Sequence, residues 1–236
     1  MVTDRVSVPR LGAILSAKAG GGSEGMNTPE QERDAGPAEL ATLVERTRGP
    51  QPWRRLFHAA VGITVVLALR FLVPSNTVAL IAMGSALLMV LLFEWVRLTK
   101  PRLNLLFFRF LSPLVSAGEE RKVVSSVWYL LGVFTVVALF PREIALPSVL
   151  VMALADPAAS YVGRRWGNTP LGTGTVTGSV TFVVTGTLVL LPYVEIAPAL
   201  ATAVVTAAVE ALPWRLNDNL TIPVSAGLTL WIMTLA

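Results

Sequence analysis

No cysteine occurs in the 236 residues, and histidine occurs once. The first absence excludes disulfides, thiolate metal sites and cysteine nucleophiles. The second leaves His58 without a second imidazole or thiolate, which excludes a zinc centre of the usual composition. Charge is scarce as well: 14% of the residues are Asp, Glu, Lys or Arg, against 53% hydrophobic. A mean hydropathy of +0.64 provides more apolar surface than a soluble domain of this length has to bury. The composition is that of a polytopic integral membrane protein. A net charge of +4 does not make nucleic acid a partner, because no basic and aromatic patch lies on a soluble module. In a membrane protein an arginine excess serves topology and anionic lipid headgroups.

Residues 1–50 are polar and carry GGGSEG and TPEQERDAGP, a composition that cannot bury enough surface to order itself. A disordered tail is expected. Its apolar pieces, interrupted by Arg10 and Lys18, are too short for the central region of a signal peptide, and Met26 is a second candidate start. From Pro37, PAELATLVERTR places Leu40, Leu43 and Val44 at helical spacing, which predicts a short amphipathic helix.

Seven apolar runs follow, at 56–73, 77–96, 123–140, 144–163, 175–194, 196–213 and 220–236. Each is long enough, or nearly so, to cross ~30 Å of hydrocarbon at about 20 residues per helix. None shows the strict alternation of a barrel strand, so the expected fold is all-α with about seven transmembrane helices in a domain spanning 53–236. Positive charge gathers before the first run and in alternate loops: Arg46, Arg48, Arg54 and Arg55, then Arg97, Lys100, Arg102, Arg109, Arg121 and Lys122, then Arg164 and Arg165, then Arg215. That asymmetry predicts a cytoplasmic N terminus and a C terminus on the far side of the cell or inner membrane. PRLNLLFFRFLSPLV is too short to span and reads as an interfacial helix with snorkelling Arg102 and Arg109, or as a lid over a lipid entrance.

With this topology Glu94, Asp156, Glu210 and Asp218 fall near one membrane face. A charge at membrane depth costs at least about 2.5–3.5 kcal/mol near the bilayer centre, so it persists where it has a partner or a task. For Asp156 the two readings are an ion pair with Arg164 or Arg165, and catalysis or metal binding. Eight residues of helix rise about 12 Å, too far for a direct pair in a straight helix, although Pro157 is expected to bend or break this one. Ala158, Ala159, Ser160 and Gly163 permit close helix packing. Arg164 and Arg165 serve as positive-inside anchors or as phosphate ligands. The following Gly167, Gly172, Gly174 and Gly178, interleaved with Thr173, Thr175 and Thr177, would expose N–H groups to an anion before a helix. Asp218 and Asn219 offer the oxygen ligands that Mg²⁺ prefers, or cap the last helix. His58 is structural, or touches phosphate or moves a proton.

Two blocks, ADPAASYVGRRWG from Ala155 to Gly167 and VEALPWRLNDNLTIP from Val209 to Pro223, stand with Arg54-x-x-x-His58, Glu94 and Glu120-Arg121. Together they resemble the CTP-dependent polyprenol kinase family, which includes dolichol kinase, phytol kinase and a CTP-using diacylglycerol kinase. The likeness covers about residues 53–236, and phosphatidate cytidylyltransferases are distantly similar. The resemblance implies phosphoryl transfer from CTP to a dolichol-, polyprenol- or phytol-type lipid alcohol at the cytoplasmic face, with membrane lipids as surroundings. It implies Mg²⁺ on Asp156, Asp218 and Asn219, and nucleotide phosphates on Arg164, Arg165, Gly167, Thr175, Gly178, Ser179 and His58. Glu210 or Glu94 would orient a partner or take the hydroxyl proton. The chain departs from the family pattern where a Lys and a Glu are replaced by Gly174 and Thr177, an Asp by Asn217 and a Gly by Ala155. The alternatives are a cytidylyltransferase forming a CDP-lipid and a non-catalytic relative.

Overall fold

The computed structural model describes residues 29–49, 51–213 and 216–235; the tail before Pro29, with Met26, and Arg215 lie outside them. Among the described residues the chain forms nine α-helices and one two-residue-per-strand hairpin. Helix α1, Pro29–Arg46, begins earlier than the helix expected from Pro37. Residues Glu39–Ala236 form one compact unit.

Each of the seven apolar runs is a helix: α2 Pro52–Phe71, α3 Asn76–Thr99, α5 Ser125–Leu139, α6 Arg142–Trp166, α7 Val176–Leu190, α8 Ile196–Ala211 and α9 Asp218–Leu235. Two of them, α3 and α6, are long and apolar enough to cross a membrane. Their surroundings differ. The most apolar stretch of α6 is 61% buried, whereas that of α3 is 11% buried, with Ile81, Leu88, Met89 and Trp95 facing outward. A helix that turns Leu, Ile and Met outward has no aqueous solvent suited to it. Helices α5, α7 and α8 are apolar but shorter, with 15, 15 and 16 residues.

Helix α6 is the centre, packed on by α2, α5, α7 and α9. Val149, Val151, Ala153 and Ala155 are fully enclosed on it. Pro157 lacks an N–H and its ring crowds the carbonyl four residues earlier, which predicts a break. The structure absorbs the conflict instead: Val151–Ala155 widen into a π-helical turn and the chain returns to α-helix at Asp156. Asp156 thus sits at a built-in irregularity of the most buried helix, where π-turns often accompany function.

Small residues set the spacing. A Cβ on Gly163 would lie 2.8 Å from Thr175 Oγ1 and 3.1 Å from Gly178 Cα, so α6 and α7 cross with their backbones nearly touching, as expected for small residues at membrane-helix contacts. The hairpin β1 Pro170–Leu171 and β2 Gly174–Thr175 joins them. Its Gly172 has φ +55° and no room for a Cβ against the Ala211 carbonyl. Thr173 then donates its N–H to Ala211 O at 3.0 Å and its hydroxyl to Glu210 O at 3.0 Å, closing the C-terminal end of α8. At the opposite end of the bundle Arg142 donates to Leu69 O and Val73 O at 2.8 and 2.9 Å, capping α2.

The basic loop forms α4, Pro101–Leu111. Phe110 and Leu111 are exposed while Phe108 is fully buried, and Arg109 is ion-paired with Glu39.

Candidate functional site

A two-lobed cleft opens at the end of the bundle where α2, α6, α7 and α9 bring their polar turns together. Each lobe encloses about 470 Å³. The first is lined by Arg48, Gln51, Arg54, Arg55, His58, Ser116, Asn217 and Asn219, the second by Gly167, Thr173, Gly174, Thr175, Gly178, Ser179 and Glu210. Asp156, Ser160, Arg164 and Asp218 line both and form the shared wall. Most residues singled out in the sequence, from His58 to Asn219, line one lobe or the other.

The ion pair considered for Asp156 is not formed. Among the described residues the carboxylates of Asp156, Glu210 and Asp218 have no ion-pair partner, and neither do Arg55 and Arg164. Carboxylates and guanidiniums facing one cleft without pairing leave their charge for a ligand. Burial holds the Asp218 carboxyl above the ordinary carboxylate range. Arg55, just ahead of the apolar run of α2, is pulled below its ordinary value by burial and by the Arg164 guanidinium, with Asp156 opposing. Two guanidiniums that repel each other across a cavity are relieved by an anion between them.

Arg54 holds the wall rather than the opening. Its Nη1 donates to Gln51 Oε1 at 3.0 Å and Ser116 Oγ at 2.6 Å, and its Nη2 to Ser125 Oγ at 3.0 Å. His58 lines the first lobe, 8% exposed, with its ring 4.9 Å from that of Tyr129, whose hydroxyl donates to the His58 carbonyl at 2.9 Å. A Cβ on Gly62 would collide with the Tyr129 hydroxyl and Ala153, so Gly62 is what lets α2 approach.

Three expectations are corrected. Glu94 is not in the cleft: it is ion-paired with Arg97 and accepts from Val124 N at 3.1 Å, at 2% and 0% exposure for the pair. Arg97, counted as a positive-inside marker, is therefore an internal residue. Arg165 is exposed and lines neither lobe, since it follows Arg164 by one helical step of about 100° and faces away. The Gly/Thr loop is not an open phosphate cradle. The N–H groups of Gly167, Thr173, Val176 and Gly178 donate to Gly163 O, Ala211 O, Thr169 O and Thr175 Oγ1 at 2.9–3.1 Å. Thr175 is the N-cap of α7, and Gly167, Gly172 and Gly178 serve close packing.

The last helix is capped by Asn217, whose Oδ1 accepts from Asn219 N at 3.0 Å; the cap is one residue earlier than expected. An amide caps as well as the carboxylate found there in the resembling family. Asn219 is buried, and its Nδ2 donates to Ser125 O at 3.3 Å, so Asn219 is tied to α5 while lining the first lobe. Among the described residues no three acidic or histidine side chains form a self-sufficient metal site. Two carboxylates on a shared wall are nevertheless the donor set that Mg²⁺ takes when phosphate oxygens and water complete its shell.

Sequence reasoning missed Arg97 and Glu119. Arg97 donates to Asn104 Oδ1 at 2.5 Å, Glu119 O at 3.0 Å and Lys122 O at 2.9 Å, and its guanidinium stacks 4.9 Å from the Phe107 ring. Glu119 accepts from Ser116 N, Ser125 N and Ser125 Oγ at 2.7, 2.9 and 2.5 Å. This chain of bonds holds the 112–124 loop so that Ser116 meets Arg54. The Glu94–Arg97 spacing of three, which puts both on one helix face, was the available signal. Of the Glu120-Arg121 pair, Glu120 contributes its carbonyl to Asn104 Nδ2 at 2.9 Å.

Over 165 residues, 61% of this chain, the sequence is 30% identical to CTP-dependent diacylglycerol kinase 1 of Schizosaccharomyces pombe, of which it covers 73%. Over 116 residues it is 31% identical to the protein of the same name in Eremothecium gossypii and 27% identical to that in Saccharomyces cerevisiae, covering 36% and 39% of them. No protein-family profile and no solved structure matches the chain. Set beside a cleft whose carboxylates and guanidiniums face each other unpaired, these likenesses establish that the chain belongs to the CTP-dependent diacylglycerol kinase family.

Proposed function

We propose that the protein transfers the γ-phosphoryl group of CTP to the hydroxyl of a lipid, with the seven apolar helices spanning the membrane and the cleft at its cytoplasmic face. One observation carries the reading: a lobe rich in arginine and a lobe with an unpaired glutamate meet at a wall made of Asp156, Ser160, Arg164 and Asp218. The arginine lobe takes the nucleotide phosphates, chiefly on Arg55 and Arg164. The second lobe takes the acceptor. Transfer across the wall forms a bond from the lipid oxygen to the γ-phosphorus as the bond to the β-phosphate oxygen breaks, releasing CDP. Glu210 receives the hydroxyl proton and passes it to water. Such chemistry is mostly alignment and charge neutralisation. Asp156 and Asp218 would hold a magnesium ion, which supplies positive charge to the phosphates.

The names of the relatives support a diacylglycerol-type acceptor; the polyprenol-type acceptor expected from the sequence blocks competes with it in the same assay. Purified protein is given Mg²⁺, each lipid, and CTP labelled at the α or the γ phosphate. The expected product is lipid carrying γ label. Lipid carrying α label would mean cytidylyl transfer, and no labelled lipid would mean a non-catalytic relative. Arg55→Ala and Arg164→Ala should each raise the KM for CTP roughly 10- to 100-fold, the worth of one charge-assisted phosphate bond at ~1.5–3 kcal/mol. Arg165→Ala should leave it within about twofold, as exposed substitutions away from special features do. Steady-state titration of CTP on the three variants checks the assignment.

A further inference from the structure

The second lobe has an apolar continuation. Between α7 and α8 lies a groove of about 340 Å³ lined by Leu171, Val180, Val183, Val184, Val204 and Ala208. Its one polar lining residue, Ser179, also lines the carboxylate lobe, so the two adjoin there. Its upper end is fixed beside Glu210, because the hairpin carrying Leu171 is bonded through Thr173 to the Glu210 and Ala211 carbonyls. Its lower end is closed where the helices meet, with a Cβ on Gly186 reaching 3.3 Å from Ala203. Above that contact the helices present Ala207, Ala208 and Ala211 on one side and valines on the other. The outer edge is open: Val180, Val184 and Val204 are 57%, 53% and 48% exposed. In an embedded bundle that edge faces hydrocarbon.

We propose that this groove holds one acyl chain of the acceptor, which enters sideways from the membrane between α7 and α8 and delivers its hydroxyl past Ser179 to Glu210. The inference rests on the kinase reading. It is favoured over a simple packing gap because the groove is closed at the end away from the cleft and adjoins, at Ser179, the lobe that holds the unpaired carboxylates. The groove admits a single chain; any second chain of the same lipid stays in the bilayer.

Ala208 is exposed and lines the groove but neither polar lobe, so Ala208→Trp fills the groove and leaves the chemistry in place. Its kinetics are compared with wild type on a long-chain diacylglycerol in mixed micelles and on the water-soluble dihexanoyl glycerol. The expected result is a KM for the long-chain acceptor raised roughly tenfold or more, the loss expected when about two methylenes lose their burial. The short-chain acceptor and CTP should change by less than about twofold. Equal effects on both acceptors, or on neither, overturn the groove assignment. Failure of wild type to phosphorylate either acceptor overturns the kinase reading instead, and the inference with it. A second measurement does not depend on turnover. The chain has no cysteine, so Ala208→Cys carries a single thiol. The long-chain acceptor should slow its modification by a maleimide, and a phosphatidylcholine of the same chain length should not. Equal protection by both lipids shows a site for bulk lipid and overturns the assignment to the acceptor.

Discussion

Asp156→Asn is expected to lower kcat for CTP-dependent lipid phosphorylation by about 10²- to 10³-fold, the effect of removing one pre-organised electrostatic group from an active site. It should do so without unfolding the protein. Among the described residues the carboxylate has no ion-pair partner, and it sits on the helix with the most enclosed backbone of the bundle. A charge held there without an ion-pair partner opposes folding, because the arginines that share its lobe offset only part of its desolvation. Asn keeps the shape and removes the charge, so the variant's thermal midpoint in detergent should equal or exceed that of wild type. The combination is diagnostic. A structural aspartate would lose stability and activity together, whereas a ligand-binding one loses activity alone. Wild-type turnover by Asp156→Asn would exclude Asp156 from the reaction, and a large fall in its thermal midpoint would return it to a structural role. Isothermal titration with Mg-CTP adds a second reading, since the variant should bind the nucleotide more weakly in magnesium than wild type does.

Much of the fold is legible because one rule holds for every long apolar run: a backbone removed from water must satisfy its polar groups internally, and helices do so. All seven runs are helices. The ends of the runs were less legible: the caps at Thr175 and Asn217 fall on residues that the sequence offered as part of an anion-binding loop and as a neighbour of the expected cap. The site was legible in its ingredients and not in its assembly. Asp156, Arg164, Glu210 and Asp218 stand out because charge is conspicuous against an apolar background. Which charges are already satisfied depends on contacts across the bundle. Glu94 and Asp156 look alike in sequence, yet one meets Arg97 on its own helix face and the other meets open space. The glycines after Arg164 gave the opposite error. Glycine marks close approach of backbone to something, and sequence does not say to what: Gly163 and Gly178, fifteen residues apart, approach each other and not a phosphate. The arginines of α2 were underweighted for the same reason. Their role arises only when the 112–124 loop, some sixty residues later, closes over Gln51 and Arg54.

Arg97→Met is expected to destabilise the protein by about 3–5 kcal/mol, the range for breaking a buried ion pair by removing one partner, and to lower its thermal midpoint by roughly 10 °C. The size follows from what is left behind. Methionine fills most of the volume, so little of the loss is cavity. It does leave Glu94 at 2% exposure with only Val124 N as donor, and it orphans Asn104 Oδ1 and the carbonyls of Glu119 and Lys122. Each buried acceptor without a partner costs about 1–3 kcal/mol. Glu94→Gln in the Arg97→Met background should recover part of the loss, because a neutral amide is less costly to bury than an unpaired carboxylate. The double variant more stable than Arg97→Met alone is the signature of the pair, and a double variant less stable than either would exclude it. The consequence reaches the cleft through the loop. With Glu119 and Lys122 released from α3, Ser116 is no longer held against Arg54, and the wall of the arginine lobe loosens. Well below its lowered midpoint, Arg97→Met should therefore still transfer phosphate but with a KM for CTP raised more than its KM for lipid. A residue with no contact to either lobe then governs nucleotide affinity, by fixing the loop that Arg54 leans on.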